Sequence, residues 1–378
     1  MAISRRSFVR LWAGTVAAVL ARRMPAAPLS LVSLDLAKEF PASTVRAVSP
    51  DGTKLCLEDW KESGYPIRVL EIGTWRIVYT GRFEARTYGA DFFADSQTLL
   101  VGYPIAGRAI IDLRTGERTL SHDPYNAHNH QGDYLTPAED RTLLKQHWQS
   151  PPYETTTLSL VDLQDHREIV KVPYATETRK PMPVKGVMTL NTEWGPVLSG
   201  RRKVVAYSFD NVLVCRRIDD LSVLWTKSVE PGLELLRIAV SADGTRVAAS
   251  VGDPLVEDLT RQWRQHYLGV YDGGTGEEVA RLEIDGTDWI ALSADGRLIA
   301  VVSHERGEKT AVVPSAAIFE ISSGRKVASV AHSPVKQGRH QRLEAGITVA
   351  FTSDGKYLIT SGLSTRVWSL ADMAGQHA

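Results

Sequence analysis

The stretch "NAHNHQGD" places His128 and His130 two residues apart. On an extended segment that spacing turns both imidazoles to one side, the arrangement in which two histidines can share a metal ion. No third ligand is evident, and a pair of solvated loop histidines is the competing reading. Cys56 and Cys215, the two cysteines, sit inside the apolar runs "KLCLEDW" and "NVLVCRRI". They have neither zinc spacing nor a haem-attachment motif, so they read as buried free thiols. There is no Gly-x-Ser-x-Gly nucleophile elbow and no Gly-rich phosphate loop. The sequence therefore offers no catalytic residue, no metal site and no evident cofactor.

Recognition chemistry is better represented. Trp148, Tyr153, Trp194, Trp263 and Tyr267 lie in long connecting segments, where aromatic rings stack on a sugar, anchor a partner protein or cap strand ends. Arg179, Lys180, Arg261, Arg264, Arg306, Arg339 and Arg342 add positive charge to the same segments. They suit an acidic ligand or peptide, or a solvated surface balanced by glutamates. Lys plus Arg equal Asp plus Glu at 44 each, and the pI is near neutral. A nucleic-acid binder needs a positive field, so that class is not expected.

The elements that carry these residues repeat. "VSADGTRVAASV" from Val240 and "LSADGRLIAVVS" from Leu292 each read as a β-hairpin closed by Asp-Gly. "AVSPDGTKLCLE" from Ala47 and "VAFTSDGKYLITSG" from Val349 match them. Weaker copies begin at Asp91, Tyr134 and Pro196. After each comes a second strand pair across a tight turn, as in 68–81, 109–121, 158–172, 213–227, 268–282 and 316–330. The last copy, "TRVWSL" at 365–370, shows a single strand. The unit is four antiparallel strands written seven times, roughly fifty residues apart. A lone hairpin is barely stable in water, so the units must bury their faces against each other. This predicts an all-β fold, a seven-bladed β-propeller over 30–372. The seventh unit lacks an outer strand. "SLVSLDLAKEF", 30–40, precedes the first hairpin and is predicted to close the last blade.

Both hairpin turns of a blade project from one rim, and the links project from the other. Those links carry the extra length: 121–133, 147–157, 173–194, 251–267, 303–314 and 331–346. "PLVEDLTRQWRQHY" within the fourth reads as a short helix, with proline first, early acids and late bases. Long loops on one face of a rigid scaffold are where binding usually resides.

These repeats resemble the WD40 and YVTN-type propellers. The likeness rests on Ser241 to Gly244, Ser293 to Gly296 and Thr352 to Gly355, on the Thr-Gly and Ser-Gly turns at Thr115, Thr275 and Ser323, and on "RVWSL" at 366–370. The Trp-Asp ending and the opening Gly-His of WD40 repeats are absent. The resemblance implies the fold and a protein partner or small ligand on the long-loop face. It leaves open a propeller enzyme or electron-transfer subunit, such as a lactonase-like hydrolase or an amine-dehydrogenase-like chain. The start "SRRSFVR" followed by "LWAGTVAAVLA" reads as a signal peptide over 1–28, with Arg5, Arg6 and Phe8 resembling the twin-arginine export motif. That implies a periplasmic or extracellular protein with no stable membrane span after cleavage. Residues 373–378 read as a tail.

Overall fold

In the repeats whose first turn is described, side chains of the turn itself close it. In the fifth, the Ser241 hydroxyl donates to Asp243 Oδ1 at 2.7 Å, and the Thr245 amide donates to the same oxygen at 2.9 Å. The Arg246 amide donates back to Ser241 Oγ at 2.9 Å. Burial alone would raise the Asp243 carboxyl, but these bonds outweigh it and hold its pKa below the usual range. Ser49 with Asp51, Ser293 with Asp295, and Thr352 with Asp354 repeat the pattern. In the second repeat Ser96 occupies the glycine position at a φ of 55°. Its hydroxyl accepts the Asp51 amide at 3.1 Å and so ties two neighbouring turns together.

The computed structural model describes residues 34–59, 66–83, 89–103, 107–121, 132–139, 142–149, 154–162, 167–174, 197–201, 203–209, 211–252, 265–284, 289–306, 311–332, 335–336, 348–362 and 364–370. They belong to the unit Leu31–Ala378; the unit Met1–Ser30 lies outside the described residues, as does the 373–378 tail.

The chain begins with β1 (Leu34–Pro41). Blade one follows as β2 (Ser43–Val48), β3 (Lys54–Asp59), β4 (Ile67–Glu71) and β5 (Ile77–Gly81). Blade two is β6 (Gly89–Phe92), β7 (Thr98–Tyr103), β8 (Gly107–Asp112) and β9 (Arg118–Ser121). Blade three is β10 (Gly132–Glu139), β11 (Thr142–Gln149), β12 (Glu154–Asp162) and β13 (Glu168–Pro173). Blade four is β14 (Val197–Leu198), β15 (Val204–Phe209), β16 (Val212–Arg217) and β17 (Val223–Ser228). Blade five is β18 (Glu234–Val240), β19 (Arg246–Gly252), β20 (Gln265–Asp272) and β21 (Glu278–Leu282). Blade six is β22 (Trp289–Leu292), β23 (Leu298–Arg306), β24 (Ala311–Glu320) and β25 (Lys326–Ala331), with β26 (Val335–Lys336) added to β24. Blade seven is β27 (Thr348–Phe351), β28 (Tyr357–Ser361) and β29 (Ser364–Leu370), with β1 as its outer strand.

The seven-bladed propeller with four antiparallel strands per blade is thus present, and the N-terminal strand closes the last blade. β1 runs antiparallel to β29 from Leu34 opposite Leu370 to Pro41 opposite Ser364. Glu39 accepts from Arg366 Nε and from Ser364, each at 2.9 Å. First strands of neighbouring blades lie beside one another, β2 by β6, β18 by β22 and β22 by β27, so they form the inner wall. The core is distributed over the seams. Phe92, Val101 and Ile111 meet Cys56, Ile67 and Val69 between blades one and two. Trp225 and Cys215 meet Val247 and Tyr271 between blades four and five. Phe40 of β1 joins Leu55, Leu57 and Val367 where blade seven meets blade one. Both cysteines are buried and free.

The second turns of blades one, two, four, five and six hold a left-handed residue four positions after the residue that opens the turn. Gly116, Gly276 and Gly324 supply it. Trp75 and Leu221 hold the same position at φ 59° and 54°. Packing compensates them: Trp75 sits edge-on to Phe40 and to Tyr357, across the closing seam, and Leu221 is fully buried between blades three and four.

Three expectations are corrected. Gln265–Tyr267, the end of the expected short helix, are strand residues of β20; the rest of that segment lies outside the described residues. The 303–314 link is largely strand, because β23 and β24 continue their pairing to Arg306 opposite Val312. The 147–157 link is likewise strand up to Gln149 and again from Glu154. Continued cross-strand pairing satisfies backbone groups that an irregular loop would leave to water. Among the described residues no helix is long and apolar enough to cross a membrane.

Candidate functional site

The two rims differ in kind. On the turn rim, the first and second turns of a blade are joined by backbone bonds, as Ile72 to Thr53, Leu113 to Gln97, Gly273 to Thr245 and Ile321 to Arg297. Turns of different blades also touch. The Arg201 amide donates to Ala242 at 2.7 Å, and the Asp243 amide to Ala294 at 3.2 Å. Gly200 of blade four is so enclosed that a Cβ there would stand 2.8 Å from Ser353 Oγ of blade seven and 2.9 Å from the Ala242 methyl of blade five. Blades four and seven face each other across the ring. At Gly52 of blade one, an added Cβ would stand 2.8 Å from the Asp354 amide nitrogen. The described turns of blades one, four, five and seven thus crowd together at this rim.

The opposite rim holds the starts of the inner strands, the ends of the second strands, and the links. Three of the residues singled out in the sequence are placed there. Trp148 lies near the far end of β11, opposite Gly132 and Thr155. Arg306 ends β23. Tyr267 lies near the start of β20 but is only 7% exposed. Its hydroxyl donates to Glu230, and the Arg281 guanidinium lies 4.0 Å over its ring. Burial, then the Glu230 hydrogen bond and charge, push its pKa up. Tyr267 is therefore committed to the seam between blades four and five. His128, His130, Tyr153, Arg179, Lys180, Trp194, Arg261, Trp263, Arg264, Arg339 and Arg342 lie outside the described residues, as do Arg5, Arg6 and Phe8.

The first to third strands near this rim carry polar groups that sequence reasoning overlooked. Arg46 of β2 donates to Glu58 of β3 through Nε at 2.8 Å and through a second nitrogen, and the Glu58 side chain is only 1% exposed. Arg68 donates to Asp59 at 2.6 Å. Arg237 of β18 lies with its guanidinium carbon 5.4 Å from the ring centre of Trp289, the first residue of β22. Trp289 is 39% exposed, unusually open for a tryptophan on an inner strand. The signal was readable as single charges within apolar strands, "TVRAV" and "ELLRIAV". Among the described residues no three His, Cys, Asp or Glu side chains converge as metal ligands would.

Near the link rim the described residues thus carry two ion pairs within blade one and one exposed aromatic face beside a guanidinium. No protein-family model matches the chain, and no curated protein is significantly similar to it.

Proposed function

We propose that the chain is an exported binding or scaffold propeller of WD40-like or YVTN-like type, without catalytic activity of its own. It takes a protein partner or small ligand on the rim that carries the long links. Residues 1–28 act as the leader, 30–372 as the binding module, and the product works in the periplasm or outside the cell. The observation that carries this reading is the asymmetry of the rims. One carries short turns that hydrogen-bond to each other, and the other bears nearly all the added length and the inner-strand starts. A rigid ring with variable links on one face suits recognition.

The experiment is native mass spectrometry of the protein purified from the cell envelope. The intact chain is compared with variants whose 121–133 and 251–267 links are replaced by short Gly-Ser turns. A species that travels with the intact ring and is lost from both link variants is the expected result. The reading fails if the species persists without the links, or if the protein remains in the cytoplasm when Arg5 and Arg6 are both changed to Lys and also when they are intact.

A further inference from the structure

Six blades are continuous runs of chain, but blade seven borrows β1, so the ring closes where no turn joins β29 to its outer strand. β1 is held lightly. Of its eight residues only Phe40 is buried. Ala42, the single residue between β1 and β2, sits at a left-handed φ of 53°, strain that a released strand sheds. Beyond backbone pairing, the side chain that ties β1 down is Glu39, which accepts from Arg366 Nε and from the Ser364 hydroxyl. Arg366 also donates to the Ala331 carbonyl at 3.0 Å. One guanidinium thus clamps the end of β25, β29 and β1 together.

His332 follows Ala331 directly and is buried. Its Nε2 is 2.7 Å from Thr360 Oγ1, which already accepts from Trp368 Nε1. The hydroxyl has one proton, and donating it to Nε2 places the neutral ring's own proton on Nδ1. The charges that reach His332 are Arg366 of β29 and Glu39 of β1. β28 holds no charged residue, while Lys326 of β25 and Glu320 of β24 stand at the far, turn-rim ends of their strands. On β1, Lys38 lies by the Phe40 ring and Asp35 lies opposite Ser369, toward the turn rim. Arg46, the one charge on β2, is committed to Glu58.

We propose that His332 is an acid trigger for the ring closure: its protonation sets a second cation beside Arg366, loosens that clamp and releases β1 from β29 while the six continuous blades stay folded. Protonation turns Nε2 from acceptor to donor, so the fully buried Thr360 hydroxyl must point its proton elsewhere. Release lets Arg366 swing into solvent and admits water to the imidazole. In the closed ring burial, and then the Arg366 charge, depress the His332 pKa to about 4. A hydrated histidine titrates near 6.5, so release becomes easier as pH falls below that value. The Arg366 hydrogen bond holds Glu39 below the usual carboxylate range. Glu39 therefore stays charged at pH 5 whether β1 is bound or free, and the window from 6.5 to 5 belongs to His332.

Hydrogen exchange of the full chain tests this at pH 7.5 and pH 5.0, with rates corrected for the intrinsic pH dependence of amide exchange. Protection over 34–41 is expected to fall about tenfold between the two, while 234–252 in blade five keeps its protection. His332→Gln is expected to abolish the fall. Pairing Asp35→Cys with Ser369→Cys, which stand opposite in the register, locks β1 by a disulfide and is also expected to abolish it. No fall in the unaltered protein overturns the proposal, as does an equal fall in His332→Gln or in the locked ring. A fall shared by 234–252 overturns it too, because the whole ring is then unfolding. Should His332→Gln fail to fold, the onset in the unaltered protein decides. Loss that sets in near pH 6.5 upholds the trigger; loss confined below pH 4.5 belongs to carboxylates and overturns it.

Discussion

His332 follows β25 and lies buried at the seam between blades six and seven. Its Nε2 is 2.7 Å from Thr360 Oγ1 on β28, and that oxygen also accepts from Trp368 Nε1 at 2.9 Å. Burial, and then the nearby Arg366 charge, depress its pKa to about 4, with Glu39 opposing. The unfolded chain protonates histidine near 6.5. A base whose folded pKa is depressed is neutral in the fold, so its contribution is complete above pH 6.5 and disappears as pH falls toward 4. The gap between 6.5 and about 4 corresponds to about 3 kcal/mol, and partial solvation of the ring reduces this to about 2 kcal/mol. His332→Gln keeps a hydrogen-bonding group for Thr360 but cannot titrate. Urea unfolding of both proteins at pH 7.5 and pH 4.5 isolates the effect, because carboxylates such as Glu39 titrate in both and cancel in the comparison. The unaltered protein should lose about 2 kcal/mol more than the variant over that interval. Equal losses in the two proteins would refute the assignment of His332 as a buried neutral base.

Gly200→Val should destabilise the ring by about 2–3 kcal/mol, since its side chain would meet Ser353 and Ala242. Gly116→Ala meets open space but must hold a φ of 72°, so it should cost only about 1 kcal/mol by the same urea assay. Trp75→Gly removes backbone strain yet deletes the ring that touches Phe40 and Tyr357. A net loss of about 2–4 kcal/mol is expected, with faster amide exchange in β1; a gain in stability would contradict the packing account. Native protein should show no thiol reactive toward a chromogenic disulfide at pH 8, and two after denaturation. Burial raises the Cys56 thiol and pushes Cys215 up to about 12.

The fold was legible because its signals are local and repeated. Ser-x-Asp-Gly specifies a turn through hydrogen bonds among its own residues, and the missing outer strand of the seventh repeat pointed to the stretch that became β1. The left-handed Trp75 and Leu221 were not legible, because their strain is tolerated only by partners distant in sequence. The crowding of turns from different blades was hidden for the same reason: nothing local in "LSGRR" announces that Gly200 abuts Ser353. The rim of long links was legible as such, but the link lengths were overstated where strand pairing runs on, as in β23 and β24. Arg237 and Trp289 escaped notice because attention fell on loops, whereas they stand on inner strands.

The pairing of β1 with β29 has a consequence for assembly. Glu39 and Ser364 are separated by 325 positions along the chain, so during synthesis six blades can stack while β1, the first strand made, waits unpaired for β29, the last. Loop-closure entropy makes that final zipping slow. A circular permutant in which residues 34–41 directly follow β29 would turn it into a neighbouring hairpin. Such a permutant should refold faster while unfolding at nearly the same rate.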